Sequence, residues 1–499
     1  MRTSSGILTV LGTSVALALS GCNEALIKDY NTLTGFDHSV ASLQNEMSGV
    51  FNGLRPTDVG NFDLLMDAFA RSAAYYTPSE PRFVTEWTGR AALDDDNFGA
   101  AIWNNPFTAI KTADTIIAFL PTLTNNNGAP FPTVNVQALQ AVMETSKALD
   151  YMYLALSHDT NGVAMNNVGG PLTGNLAPIL CARDSWKEIV AMLDTAKAEL
   201  DAAGPNTALA LPGSAFNLQM PPGYAALGST AGSFEGLTLA LRGRARIEYA
   251  YAIARGPGGT APTATTAGAP DQSQLDSAIT DITSSSLYSP TLSPTEAIAA
   301  NDIGVFYSFS SAAGDVANTI FGVSASVYVL EGAAQQIDTL HDQRFLAKFA
   351  IAPGPPTSPG SSAASSYVYL NNIGLSTPIP IVRNLELQFL LARAYLGTGQ
   401  LLKAAQAVDA VRTTVGGLAS GLAGVNTASY TSVRDFLMRE MLPTLMQDAT
   451  GDQIVAIRDY GLLMQDLTTW GASDFHTSML NIPTVERTQR NNNFAAVCP

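Results

Sequence analysis

The recurrence of apolar residues at helical spacing constrains this chain more than any other feature of its sequence. Trp103, Phe107, Ile110, Ala113, Ile117 and Leu120 fall on one stripe, and Pro121 ends it. A stripe of this kind has to be covered by another element, so it predicts a packed helix. The same reading predicts helices over Leu43–Leu54, Asp63–Tyr76, Val136–Leu156, Gly236–Ala254, Gln274–Ser284, Leu385–Thr398, Leu401–Val415 and Val433–Met446. A further helix runs to Leu200 from a start at which Asp184 or Ser185 can cap. Between the helices lie Gly204–Ser233, Gly256–Pro270 and Pro353–Ser366, all rich in Gly, Pro, Ser, Thr and Ala. Helices resume after each without a change of character, which makes these stretches inserted loops rather than domain linkers. Val305–Ile351 mixes β-branched and aromatic residues and can form a short β-hairpin. The fold class expected is therefore predominantly all-α, with a large irregular loop face.

The N-terminus sets the compartment. One basic residue, Arg2, precedes thirteen uncharged residues from Ile7 to Leu19, and Leu19-Ser20-Gly21-Cys22 has the form of a lipobox. The apolar stretch is shorter than the roughly 18–20 residues that span a bilayer, so it predicts cleavage rather than a membrane span. Residues 1–21 are then a signal peptide, with lipid attached at Cys22. Residues 22–33 form a flexible leash, and 34–499 a single helical domain. No other uncharged apolar run is long enough to cross a membrane, which leaves the lipid as the anchor. With Cys22 taken, Cys181 and Cys498 remain as an even pair in an oxidising compartment. A disulfide between them and two separate thiols both fit the sequence.

Charge narrows the partners. The 499 residues carry a net charge of −16, and removing Arg2 with the signal makes it −17, which repels a phosphate backbone and argues against nucleic acid. Only 14% of residues are charged, against about 25% in an average soluble protein, with small residues filling the difference. There is no His-Glu-x-x-His, Gly-x-Ser-x-Gly, Gly-x-Gly-x-x-Gly or phosphate loop, so the sequence points to a protein that is not an enzyme and implies no cofactor. His38, His158, His341 and His476 are far apart, and each reads as a surface or core residue. The run Asp94-Asp95-Asp96-Asn97 lacks the spaced acids of a calcium loop and reads as solvated. Arg242, Arg244 and Arg246 form a basic cluster best explained by pairing on a helix surface.

A sugar site needs ring plates edged by polar groups. Tyr75, Tyr76, Phe83 and Trp87, close to Arg82, Glu86 and Asp94, form the candidate ligand face. The competing reading is that these rings seal the first helix pair. Trp470 and Phe475, near Asp474, are a second choice, whereas Trp103 and Trp186 sit at core spacing.

One helix pair carries a tetratricopeptide-like pattern. Ala392 and Tyr395 take its small and aromatic positions, Gly399 its turn, Ala404 the small residue of the second helix and Val408 an inward position. A regular period of about 34 residues is not evident elsewhere.

The order of motifs along the chain resembles the SusD/RagB family of outer-membrane nutrient-binding lipoproteins. The residues carrying the resemblance begin with Arg383-Asn384-Leu385-Glu386-Leu387, Ala392-Arg393-Ala394-Tyr395-Leu396, Gly399, Ala404-Ala405, Val411-Arg412 and Gly416-Gly417-Leu418. Before these come the Trp103–Ile117 and Ala138–His158 helices, the entry Pro178–Trp186, the Arg-bearing stretch Leu237–Tyr251, and Asp342-Gln343-Arg344. Near the end, the stretch from Gly451 to Gly461 is similar to the family's Gly-x-Arg-x-x-Asp-Leu-x-Arg-x-Gly, with Gln453 in place of Arg and Ala456 in place of Asp. Ile482-Pro483-x-x-Glu486 and the asparagines 491–493 complete the match. The resemblance implies four tetratricopeptide-like helix pairs on one side and an irregular loop face on the other. It also implies display outside the cell on the outer membrane, capture of an oligosaccharide or peptide, and delivery to a SusC-like TonB-dependent barrel transporter. The alternative is a lipid-anchored helical scaffold that binds proteins and no small ligand.

Overall fold

A computed structural model of the chain describes residues 39–53, 55, 58–89, 91–94, 99–165, 177–312, 315–356, 363–463 and 478–489. The signal peptide, Cys22, the leash, Asp95–Asn97, Trp470, Asp474, Phe475, His38, His476, the asparagines 491–493 and Cys498 lie outside the described residues.

Eleven helices of eight residues or more form the body among the described residues: α1 Val40–Asn52, α2 Asp58–Phe69, α3 Ala100–Phe119, α4 Thr133–His158, α5 Ala182–Ala203, α6 Ala231–Arg255, α7 Gln272–Ser284, α8 Asn384–Gly397, α9 Leu401–Ala410, α10 Tyr430–Leu445 and α11 Asp452–Asp459. Their starts follow side-chain chemistry. Ser39 accepts from Ser42 N, Asp271 from Gln274 N and Ser429 from Ser432 N, each satisfying a donor that the first turn leaves free. Thr230 and Ser233 form a reciprocal cap, so α6 begins five residues before the apolar stripe at Gly236. At α5 the cap position belongs to Cys181, with Asp184 in the first turn and Ser185 Oγ donating to Leu180 O. Cys181 is disulfide-bonded.

From α3 to α10 each helix packs against its predecessor in the chain, α3 on α4, α4 on α5, and so on to α9 on α10, giving a run of tetratricopeptide-like helix pairs. The pair legible in sequence is α8 and α9. Ala392 and Ala404 are fully buried where the two helices meet, Val408 faces inward, and Gly399 takes φ +73° at the turn. The other pairs escape a 34-residue period because long loops separate their members. Between α7 and α8 the chain leaves the stack for 99 residues.

That excursion carries most of the strands. β5 (Val327–Leu330) is a central strand of an antiparallel sheet ordered β1 (Ala73–Tyr75), β5, β7 (Ala364–Tyr369), β6 (Phe349–Ile351). β4 (Gly304–Tyr307) pairs with β8 (Ile379–Arg383), and the short β2 (Val163–Ala164) with β3 (Ile179–Leu180). Two expectations are corrected here. No hairpin forms within 305–351, because β4, β5 and β6 all take partners from outside that stretch. Nor does the helix expected over Asp63–Tyr76 reach its end. Arg71 turns left-handed at φ +54°, its N–H and that of Ser72 donate back to Ala68 O and Asp67 O, and the chain continues as β1.

The seam between α6, α8 and α11 is charged. Arg244 on α6 places its guanidinium 3.0 Å from Glu386 on α8 and 2.9 Å from Asp452 on α11. Arg393 on α8 reaches Glu248 on α6 at 2.7 Å and Asp459 on α11 at 2.5 Å. All six are buried. Burial drives the Glu386 and Asp459 carboxyls well above the usual range, and Asp452 and Glu248 add repulsion to each in turn. Facing arginines oppose that shift, Arg244 for Glu386 and Arg255 with Arg393 for Asp459. Arg458, also buried, donates to Leu156 O at 2.6 Å and to Ser478 O, tying α11 to α4 and to the C-terminal segment.

A second charged knot pins residues 446–451. Lys348 directs its ammonium to Asp448 Oδ1 (2.6 Å), Thr444 O (2.7 Å) and Met446 O (2.8 Å), while Arg383 takes Asp448 Oδ2. Asp67 accepts from Gln447 N (2.8 Å) and Nε2 (2.6 Å), and Asp63 accepts from Ala449 N (2.7 Å). The strap they hold is strained: Gln447 and Ala449 have φ of +62° and +55°, conformations costing about 1–3 kcal/mol each for residues with a side chain.

Two outcomes follow. Arg393→Met leaves Glu248 buried without its ion-pair partner and Asp459 with Arg255 alone, and should lower stability by about 3–5 kcal/mol, read as the urea unfolding midpoint. His158 is buried against Trp103 with Nδ1 3.0 Å from Leu154 O, and burial lowers its pKa to about 4 from 6.5. The unfolded chain therefore binds more protons between these values. Stability contributed by neutral His158 is full above pH 6.5 and lost as pH falls towards 4, by up to about 3 kcal/mol. A His158→Asn chain should show a shallower pH slope across that window.

Candidate functional site

The aromatic cluster read from sequence is split by the strand it sits on. Along β1 alternate side chains face opposite ways, so Tyr75 joins Ala73 against the main core and Tyr76 joins Ala74 in a smaller cluster with Tyr328 and Leu330. Tyr76 is only 3% exposed and meets Tyr328 edge-on at 5.5 Å. From Tyr75 a ladder of rings runs inward, to Phe83 at 5.2 Å and on to Trp87 at 4.7 Å, where Trp87 is 1% exposed. Tyr76 and Trp87 are thus core residues and cannot act as exposed plates, and the sealing reading of this cluster fits their burial. Tyr75 and Phe83 stay half-buried. Arg82 keeps 37% of its side chain exposed, with Glu80 gripping it at 2.7 Å and Asp94 at 3.3 Å. Its guanidinium is held protonated chiefly by the Glu80 hydrogen bonds.

The remaining sequence candidates fall into the structure's framework. Arg242 and Arg246 both clamp Asp281 on α7 and Asp194 on α5, whereas Arg244 points into the charged seam. Trp103 and Trp186 are buried. His341 is exposed and 2.9 Å from Asp338. Among the described residues no group of three or more His, Cys, Asp or Glu could hold a metal ion, and no helix is long and apolar enough to cross a membrane.

A groove of 560 Å³ opens beside β1, between the turn at Ala70–Arg71, the short helix Glu331–Ala334 with the residues after it, and the flanks of α10 and α11. Met438, Leu442 and Ile457 give it apolar surface; Gln335, Gln336, Asp435, Arg439 and Gln453 supply polar groups. Arg439 lies over the Phe436 ring at 5.3 Å and 3.4 Å from the Glu440 carboxylate, and Asp435 holds the Arg434 guanidinium at 2.6 Å, so both of these charges have opposite partners on the protein. Gln453 differs. Its Oε1 is buried and accepts no hydrogen bond from the described residues, an arrangement that costs about 1–3 kcal/mol if nothing donates to it. The groove's volume, apolar surface and convergent polar groups suit a small polar ligand. A second groove of 590 Å³, near Val40 and Phe216, has no charged residue among its described lining. A smaller cavity of 290 Å³ lies beside the strained strap.

Gln453 is marked in the sequence only by standing where the resembled motif carries arginine. Gln335, Gln336 and Arg439 left none, since amides and a lone arginine on helix flanks match ordinary surface.

No family model and no curated protein matches this chain. Solved structures do. A SusD superfamily protein from Bacteroides vulgatus ATCC 8482 superposes with a TM-score of 0.61 at 12% identity, over 90% of this chain and 97% of that one. NanU of B. fragilis gives 0.61 at 11%, over 90% and 95%. A protein crystallised with xylogluco-oligosaccharide gives 0.56 at 14%, over 86% and 85%.

Trp87→Ala should cost about 3–5 kcal/mol through the cavity it leaves, seen as a lower melting temperature; the Trp87 site is thereby tested as packing. The chain has the fold of the SusD superfamily proteins.

Proposed function

We propose that this chain is a nutrient-binding lipoprotein of the SusD/RagB kind, which captures an oligosaccharide or peptide in the groove beside β1. The observation that carries the reading is the buried acceptor Gln453 Oε1 in a wall of amides over apolar surface, on a fold shared with a protein crystallised with xylogluco-oligosaccharide. Sugar hydroxyls and peptide N–H groups both donate, and an amide oxygen held away from water rewards the donor that reaches it. The apolar side chains of Met438 and Leu442 would lie against the C–H faces of a sugar ring. Tyr75 and Arg82, on the half-exposed rim of the ring ladder, extend the candidate surface.

In this reading Cys22 carries the lipid that tethers the protein to the outer membrane facing the cell exterior, and a SusC-like TonB-dependent barrel receives the captured ligand. Lipidation leaves Cys181 and Cys498 to pair with each other, in keeping with a disulfide at Cys181. The protein works by holding and releasing its ligand and needs no cofactor. A scaffold role remains the alternative, in which only proteins bind.

The test is affinity electrophoresis of the purified chain through gels containing xyloglucan, other plant and host glycans, or casein peptides. Retardation by one of them is expected, and Gln453→Leu and Arg439→Ala should each weaken it about 5–10-fold, the worth of one hydrogen bond, in chains that stay folded, the melting temperature of Gln453→Leu being no lower than that of the unaltered protein. Pull-down from membranes should recover a TonB-dependent barrel; recovery of soluble proteins alone, with no ligand retained by any gel, would favour the scaffold.

A further inference from the structure

The 290 Å³ cavity lies in another part of the molecule. Its walls come from residues 298–301, Lys348, Tyr369, residues 371–373, residues 377–380 and the strap residues Gln447 and Asp448. Its charges are spoken for. Every proton of the Lys348 ammonium has an acceptor, and both oxygens of Asp448 have cationic partners. An incoming ion would find no uncompensated opposite charge, so the cavity favours a neutral occupant.

Two residues of its lining carry a polar atom that is uncommitted among the described residues. Gln447 is 4% exposed, and its Oε1 is buried without a hydrogen-bond donor. The amide cannot turn over to hide that oxygen, because Nε2 is fixed 2.6 Å from the Asp67 carboxylate. The backbone is equally fixed, with Gln447 N also bound to Asp67 and the residue held at φ +62°. Strain maintained by surrounding structure around an orphaned buried acceptor is the pattern expected of a preorganised ligand contact. The second atom is the Tyr369 hydroxyl, which makes no hydrogen bond to the described residues although the tyrosine is buried. Facing these are Ile298, Ile320, Ile373 and Pro380, an apolar surface of the kind that covers ring C–H groups. The volume lies at the lower end of small-molecule sites, about 300 Å³, enough for one ring and not for a chain.

We propose that this cavity is a second binding site, for a neutral hydroxyl-bearing molecule the size of one sugar ring, with a ligand hydroxyl donating to Gln447 Oε1 and another contacting the Tyr369 hydroxyl. The inference stands apart from the groove: it requires neither Gln453 nor Arg439, and it survives if the groove takes a peptide or nothing.

The experiment is saturation-transfer NMR on the full chain with D-glucose, D-galactose, D-mannose and D-xylose as separate probes. At least one should bind saturably at millimolar concentration or below. Gln447→Met, which keeps length and removes the acceptor, should weaken that sugar tenfold or more, and Tyr369→Phe by a smaller factor. Ala299→Phe, a change at a half-buried wall position away from the charged knot, should abolish binding by filling the space, which guards against Gln447→Met simply unfolding the strap. Arg439→Ala should leave it unchanged. The proposal is overturned if no probe binds the unaltered chain, or if binding is undiminished in folded Ala299→Phe or Gln447→Met proteins.

Discussion

The structure depends on arginines buried between helices that are distant in sequence. A tetratricopeptide-like stack is held by neighbour-on-neighbour packing, which fixes each helix against the next but says little about what folds across the ends. Here Arg244 and Arg393 bridge α6, α8 and α11, and Arg458 brings in α4 and the C-terminal segment. Burial drives the Glu386 and Asp459 carboxyls in that seam upward in pKa, and only the facing guanidinia make their charge tolerable. Register follows: an apolar seam tolerates sliding by a turn, whereas a buried ion pair displaced by a turn loses its partner.

The same logic shapes the two concave sites. The groove borders α10 and α11, the second of them held by the charged seam, and the smaller cavity borders a strap pinned by Asp63 and Asp67 of α2, by Lys348 and by Arg383 at the end of β8. In both places the lining includes a glutamine whose side-chain oxygen is buried without a partner among the described residues. Rigidity is supplied by charge, and the unpartnered acceptor in each place is a neutral amide. A protein of net charge −16 thereby offers binding walls with little net charge of their own.

Sequence disclosed the stack better than the sites. Ala392, Tyr395, Gly399, Ala404 and Val408 announced α8 and α9 because close helix contact needs small residues at fixed spacing. The Arg383–Glu386 and Asp342–Arg344 motifs marked positions that turn out to be buried ion pairs, structural in role. The ring cluster misled for a local reason: a left-handed turn at Arg71 converts the end of a predicted helix into a strand, and alternation then buries Tyr76 away from Tyr75. Strand pairing was illegible, since Ala73 finds Val329 across more than two hundred residues and neither segment signals the other. Gln447 was invisible and Gln453 showed only as a departure from the motif, because an orphaned acceptor is a property of surroundings and not of the residue.

The excursion between α7 and α8 has one more implication. Its two ends meet: α7 and α8 pack together, and Ser289 N donates to the Asn384 side chain at 2.8 Å. Closing a loop whose ends are already adjacent grows costlier only slowly with its length, about 0.6 kcal/mol per doubling. Residues from this excursion form one side of the groove and most of the cavity. An evolving lineage could therefore lengthen, shorten or replace its recognition surface as a cassette, leaving the helical chassis and its ion pairs unchanged, which fits a fold kept across solved structures at 11–15% identity.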